Sequence, residues 1–159
     1  MEIQRIKPTE WERFKILRLA ALADAPDAFD STLEMAKAWP NENWQGQAAN
    51  IPTFIASIDN TDIGIVRVAT EAPNPSDAYL ISMWVSPSAR GRRVGEHLVT
   101  AAIDYARGAG YSQLLLDVAD NNVSAIALYA RLGFEPTGKT DTFSEPRAHI
   151  KEHQRVLRL

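Results

Sequence analysis

Hydrophobic residues along the chain recur at two spacings, near two for strands and near four for helices. A short strand, Glu2–Ile6, ends at Pro8, and Thr9-Glu10-Trp11-Glu12 then reads as a capping box opening a helix. Phe14, Leu17 and Ala21 share one face of that helix, and Asp24-Ala25-Pro26-Asp27 breaks it. A second helix is predicted over about Leu33–Ala49, interrupted at Pro40. Thr53–Ile58 and Ile63–Ala69 read as a hairpin joined by Asp59-Asn60-Thr61-Asp62. Glu71–Asp77, with Pro73 and Pro75, reads as a loop, and the apolar run Ala78–Val85 as a buried strand. Val94, Leu98, Ala102 and Ala106 mark a helix stopped by Gly108 and Gly110. Gln113–Val118 is a strand, and a helix from about Asn122 carries Ala125, Leu128, Tyr129 and Leu132 on one stripe, with Gly133 as its C-terminal cap. Two strands follow in Glu135–Leu159, the last about Ala148–Leu157.

This order predicts a mixed α/β domain on one sheet with helices on its faces. The unit from Ala78 to Val118 should be a right-handed parallel crossover, with both strands pointing toward the loop after Val85. The 159 residues suit a single domain over 1–159. A net charge of −3 argues against a nucleic-acid partner. No cysteine is present, so a cysteinyl acyl-enzyme is excluded. No apolar run approaches the ~20 residues of a membrane helix, and the N-terminal stretch has no signal-peptide core. The sequence therefore reads as cytoplasmic.

The chemistry concentrates where the strand ending at Val85 passes through Ser86-Pro87-Ser88 into Arg90-Gly91-Arg92-Arg93-Val94-Gly95. The first amides of a helix lack intrahelical partners, and its dipole favours an anion there. Gly91 and Gly95 leave the backbone open, and arginines suit phosphate oxygens. Neither a Walker A loop nor a dinucleotide fingerprint is present. Taken alone, the same residues would also serve as a solvated basic helix start, or as an RNA-binding patch.

Three segments together resemble the GNAT superfamily of N-acetyltransferases. Met83-Trp84-Val85-Ser86-Pro87 is similar to the strand that receives the pantetheine arm. Arg90-Gly91-Arg92-Arg93-Val94-Gly95 is similar to the family's pyrophosphate motif, Q/R-x-x-G-x-G/A. Asn122 to Phe134 is similar to its N-x-x-A-x-x-L-Y-x-x-x-G-F stretch. Arg93 departs from the pattern, because the family usually has glycine there, and a positive φ would be uncomfortable for arginine.

The resemblance implies a mostly antiparallel twisted sheet whose central parallel pair is splayed for CoA, with helices on both faces. It implies direct acetyl transfer from acetyl-CoA, as co-substrate, to a primary amine in a ternary complex, with no metal. Met83, Val85, Arg90, Gly91, Arg92, Arg93, Val94, Gly95 and Asn122 would bind the cofactor. The Val85 amide would stabilise the oxyanion, and Tyr129 would protonate the departing thiolate; spacing alone would make Tyr129 a core residue.

No general base is visible: Asp117, Glu71 or a water relay could serve. Glu34 reads as a solvated helix charge, His149 and His153 form no convincing metal pair, and His97 reads as surface. The leading acceptor is a small molecule. The alternatives are a protein N-terminus, as for ribosomal proteins, or a non-catalytic acyl-CoA-binding module. Acceptor choice should lie with Phe29–Trp44, the Glu71–Asp77 loop and the C-terminal strands, which also offer a surface for a homodimer.

Overall fold

A computed structural model describes residues 1–159. Seven strands form one sheet: β1 (Glu2–Arg5), β2 (Thr53–Ile58), β3 (Thr61–Ala69), β4 (Asp77–Val85), β5 (Gln113–Ala119), β6 (Glu135–Thr142) and β7 (Lys151–Arg158), in the order β1-β2-β3-β4-β5-β7-β6. Every neighbouring pair is antiparallel except β4 and β5. Five α-helices accompany it: α1 (Trp11–Asp24), α2 (Leu33–Lys37), α3 (Asn41–Asn50), α4 (Val94–Gly108) and α5 (Val123–Arg131).

Two apolar clusters flank the sheet. In one, Phe14, Leu17, Ala21 and Leu22 of α1 and Trp44 of α3 pack on Ile55, Ile65 and Trp84. In the other, Val94, Leu98, Ala102 and Ala106 of α4 and Tyr129 of α5 pack with Val66, Val68, Leu80, Leu114, Leu116 and Val118. The four-residue spacing of α4 thus became a buried stripe.

Several elements begin or end differently from their sequence pattern. The reciprocal cap before α1 involves Glu10, which accepts the Lys7 amide (2.7 Å) and pairs with Arg13; the Pro8–Glu10 turn displaces Thr9 from the helix start. The region 33–49 splits at Pro40 into α2, capped by Thr32, and α3. The last strand starts at Lys151, not Ala148, because the chain turns until Ile150. The hairpin turn is shorter than the four residues expected: Thr61 and Asp62 already pair in the strand, and Asp59 and Asn60, both at positive φ, make the turn alone.

The feature that builds the site is the brevity of the β4–β5 pairing. Only Asp77, Ala78 and Tyr79 find partners, in Gln113, Leu114 and Leu115. Beyond them β5 stays paired with β7 through Ala119, while β4 follows β3 to Val85. A bulge helps turn β4 away: Ile65 faces Trp84 and Arg67 faces Ile81, so Ser82 and Met83 together oppose Val66. Ser82 takes φ 58°.

Candidate active site

A cleft of about 870 Å³ opens where β4 and β5 part. Its walls include Met83 and Val85 of β4, the turn and start of α4 (Arg90, Gly91, Arg93, Val94, Gly95), and Asn122 with Leu128 near and on α5. At the turn, Gly91 has φ 78° and Arg93 has φ 62°, so the positive φ that sequence made uncomfortable for arginine is the one adopted. The consequence lies in the backbone. None of the amides from Gly91 to Glu96 donates to an acceptor of the chain, and the first engaged is that of His97, to the Arg93 carbonyl (3.2 Å). A run of unpaired N–H groups at the positive end of a 15-residue helix fits a diphosphate.

Side chains around the turn divide their tasks. Arg90 donates through Nε to the Val85 carbonyl (3.0 Å) and through Nη2 to Asp24 at the end of α1. Asp24 also accepts the Trp84 indole N–H (3.0 Å); these two bonds, Trp84's first, hold its carboxyl below the usual range. Arg90 therefore braces α1 against β4 rather than standing free for a ligand. Arg93 leans on Glu96 (3.3 Å), and Arg92 lies outside the cleft wall. Gly95 lies close under the cleft: a Cβ there would sit 3.1 Å from Met83 Cε and 3.2 Å from Leu128 Cδ2.

The strand register sets the Val85 amide. Ser86 N–H donates to the Ile63 carbonyl (2.8 Å), and Val85 is the partner of Gly64. This is a non-hydrogen-bonded antiparallel pair, so the Val85 N–H and C=O both turn away from β3 toward the gap left by β5. Asn122 caps α5 through the Ala125 amide (3.4 Å) and lines the cleft. Tyr129 is buried, edge-on to Phe134 at 5.7 Å between centroids, and does not line the cleft wall. Burial alone raises its hydroxyl above the ordinary phenol range.

A second cavity, of about 460 Å³, lies on the α1–α3 side. Tyr79, Leu80, Ile81 and Ser82 of β4 line it, so one strand serves both cavities, and Ala28 and Phe29 border both. This lip is clamped from the C-terminal side. Arg147 donates to the carbonyls of Phe29 (3.1 Å) and Asp30 (2.7 Å), and the Ser144 amide donates to Asp30 Oδ1 (2.7 Å). Asp117 and Glu152 line the second cavity together. Burial, then the neighbouring charges of Asp117, Asp30 and Asp141, push the Glu152 carboxyl up to about 7, and burial foremost raises Asp117.

Of the carboxylates weighed from sequence, only Asp117 faces this cavity; Glu34, Glu71 and the whole Glu71–Asp77 loop line neither one. Sequence reasoning missed Glu152, whose strand Lys151-Glu152-His153-Gln154-Arg155 has no apolar alternation to mark an inward face. It also missed Arg18 and Arg67, which did leave a signal. Arg18 falls on the Phe14–Leu17–Ala21 stripe, and Arg67 interrupts an otherwise apolar strand. No three His, Asp or Glu side chains gather as a metal site.

Residues 16–134 match the profile of the acetyltransferase (GNAT) family. The chain belongs to that family. It is 29% identical to a mycothiol acetyltransferase of Renibacterium salmoninarum over 81% of this chain and 38% of that protein. It is 32% identical to a streptothricin acetyltransferase of Streptomyces lavendulae over 69% of this chain and 58% of that one. The chain spans about two fifths of the length of its first curated relatives, 38%, 43% and 42%. Among solved structures, the Salmonella typhimurium acetyltransferase yncA, solved with its cofactor acetyl-CoA, superposes with a TM-score of 0.83 at 16% identity, over 100% of this chain and 94% of that one. A ribosomal-protein-alanine N-acetyltransferase of Brucella melitensis gives 0.76 at 21%, over all of both chains. These likenesses place the splayed seven-stranded sheet in the GNAT fold. Acetyl-CoA is the co-substrate of the family, and no helix of this GNAT chain is long and apolar enough to cross a membrane.

Proposed function

We propose that this GNAT chain transfers an acetyl group from acetyl-CoA to the primary amine of a small molecule, without a covalent acyl-enzyme. The observation that carries this reading is the unpaired amide run Gly91–Glu96 at the mouth of the gap between β4 and β5. Those amides would hold the diphosphate, and Met83, Val85 and Asn122 would flank the pantetheine arm. Acetyl-CoA supplies the activated acyl group. The chain's residues supply the rest.

Glu152, beside Asp117 in the second cavity, accepts a proton from the acceptor ammonium. A carboxylate near 7 is poised to do this at neutral pH. The freed nitrogen attacks the thioester carbon; as the C–N bond forms and the C–S bond breaks, the surplus proton on nitrogen passes to the departing thiolate, directly or through water. The Val85 N–H, turned toward the gap, donates to the oxygen that gains charge during attack, a contribution of about 3 kcal/mol in comparable sites. Tyr129 stays protonated because burial raises its pKa. A free thiol titrates at about 8.5, so the departing sulfur needs no strong acid; Tyr129, buried behind the cleft wall, would serve as its hydrogen-bond donor where bound CoA brings the sulfur to its hydroxyl.

Calorimetry with CoA, beside a thiol-release assay with acetyl-CoA and an amine panel, tests this reading. We expect saturable CoA binding and amine-dependent thiol release; a purified chain that ignores CoA refutes it.

A further inference from the structure

The second cavity holds two cationic side chains that the transfer chemistry does not use. Arg67 is 4% exposed, and Arg18 is half-buried with its Nη1 enclosed and without a hydrogen-bond partner. Neither is paired with a carboxylate. Arg67 donates through Nε to Thr53 Oγ1 (3.3 Å) and through Nη2 to Gln47 Oε1 (2.8 Å), which leaves Nη1 unengaged. Its guanidinium carbon lies 4.2 Å from the Phe14 ring centroid, and that of Arg18 lies 4.7 Å from that of Phe29. Two guanidiniums are thus fixed by stacking and lined up on one cavity; burial lowers Arg18 to about 10, and burial foremost, then the charge of Arg18, lowers Arg67 to about 9, so both stay cationic at neutral pH. Burying cations without a counter-charge is strongly unfavourable, and proteins tolerate it where an anion completes the site.

Across the same cavity the charge reverses, with Asp117 on β5, Glu152 on β7 and Asp30 on the lip. Sheet order puts Arg67, on β3, three strands from Glu152, a backbone span of at least about 14 Å that widens where β4 and β5 part. Side chains entering from both ends shorten that span to the scale of one small molecule. Phe14, Met35 and Trp39 add apolar wall to the same cavity.

We propose that the second cavity binds a small acceptor carrying both an amine and a carboxylate, an amino acid with an apolar side chain, whose carboxylate meets Arg18 and Arg67 and whose amine meets Glu152 and Asp117. The proposal rests on the transfer reading and names its substrate class. Arginine forks suit a carboxylate bidentately. A protein N-terminus would bring the amine but no carboxylate within reach of the arginines.

The test is a panel of apolar amino acids set against their decarboxylated amines, such as phenylalanine with phenethylamine and leucine with 3-methylbutylamine, plus short peptides with those N-termini. Binding is read by calorimetry in the presence of CoA, and turnover by thiol release. Arg18→Met removes the unpartnered guanidinium without breaking a protein hydrogen bond, so the variant should fold; a thermal melt checks this. We expect at least one amino acid to bind roughly tenfold or more tightly than its decarboxylated partner and its peptide. Arg18→Met should erase that ratio and leave CoA affinity unchanged. Equal binding of amine or peptide, no binding by any amino acid, or a ratio untouched by the substitution overturns the proposal. Amino-acid binding that Arg18→Met abolishes, without thiol release, supports this site and refutes the transfer reading alone.

Discussion

Substituting Gly91 by alanine isolates the backbone conformation on which cofactor binding depends. Gly91 sits at φ 78°, and a Cβ built there meets nothing within 4 Å. Steric clash therefore drops out, and only the left-handed conformation resists the change. That conformation disfavours an L-residue by about 1–2 kcal/mol. If the loop holds its shape, the whole penalty falls on folding, and at about 2–4 °C per kcal/mol for a chain of this size the melting temperature drops by about 2–8 °C. If the free protein instead relaxes the turn, the amides lose their alignment and binding must restore it. The penalty then appears as CoA affinity about 5- to 30-fold weaker. Differential scanning calorimetry and CoA titration measure the two shares, which should sum to about 1–2 kcal/mol. Gly108, at the end of α4, also meets nothing within 4 Å but lacks a positive φ, so Gly108→Ala should hold or raise stability. A Gly91→Ala variant with unchanged melting temperature and unchanged CoA affinity would refute the assignment of this turn as the diphosphate cradle.

Tyr129→Phe should keep CoA affinity and lower turnover in the thiol-release assay, since it removes one donor from a buried ring already packed on Phe134; equal turnover removes Tyr129 from the reaction. Arg90→Ala should weaken CoA binding by less than tenfold, because the amides carry the anion and Trp84 still holds Asp24; a loss beyond a hundredfold by calorimetry would show that the side chain, not the backbone, dominates. Glu152→Gln should flatten the rise in rate around pH 7. The same substitution should change stability in a pH-dependent way. The folded-state pKa is raised from 4.5 to about 7, so the neutral carboxyl favours the fold fully below 4.5, and that advantage is lost as pH rises through 7. Denaturant titrations should show Glu152→Gln gaining on the wild type between pH 4.5 and 7 and levelling above it; a constant difference across that range contradicts the raised pKa.

Local patterns carried most of the element map. The α4 stripe, the Asp59-Asn60 turn, the Asn122 cap and the Gly133 stop each depend on residues a few positions apart, so chain neighbours suffice to specify them. The diphosphate turn was legible for the same reason: a strand, a glycine and a helix start are contiguous.

What lay beyond the sequence was decided by contacts between distant segments. The Arg90–Asp24 brace joins positions 66 residues apart, and the Arg147 clamp on Phe29 joins positions 118 apart. Only the tertiary structure could show that the arginine nearest the phosphate turn is already engaged. Glu152 gives the plainest case. Its strand has no apolar alternation, so the inward face exists only because β7 pairs with β5, which opposes Glu152 to Ala119 and brings it near Asp117. Burial and neighbouring negative charge then raise its pKa, and both are properties of assembled surroundings rather than of residue type. The sequence by itself determined the helices, strands and amide-rich turn, because those follow from local spacing; the splay of β4 from β5 and the charge pattern of the acceptor cavity required distant strands to assemble into one sheet.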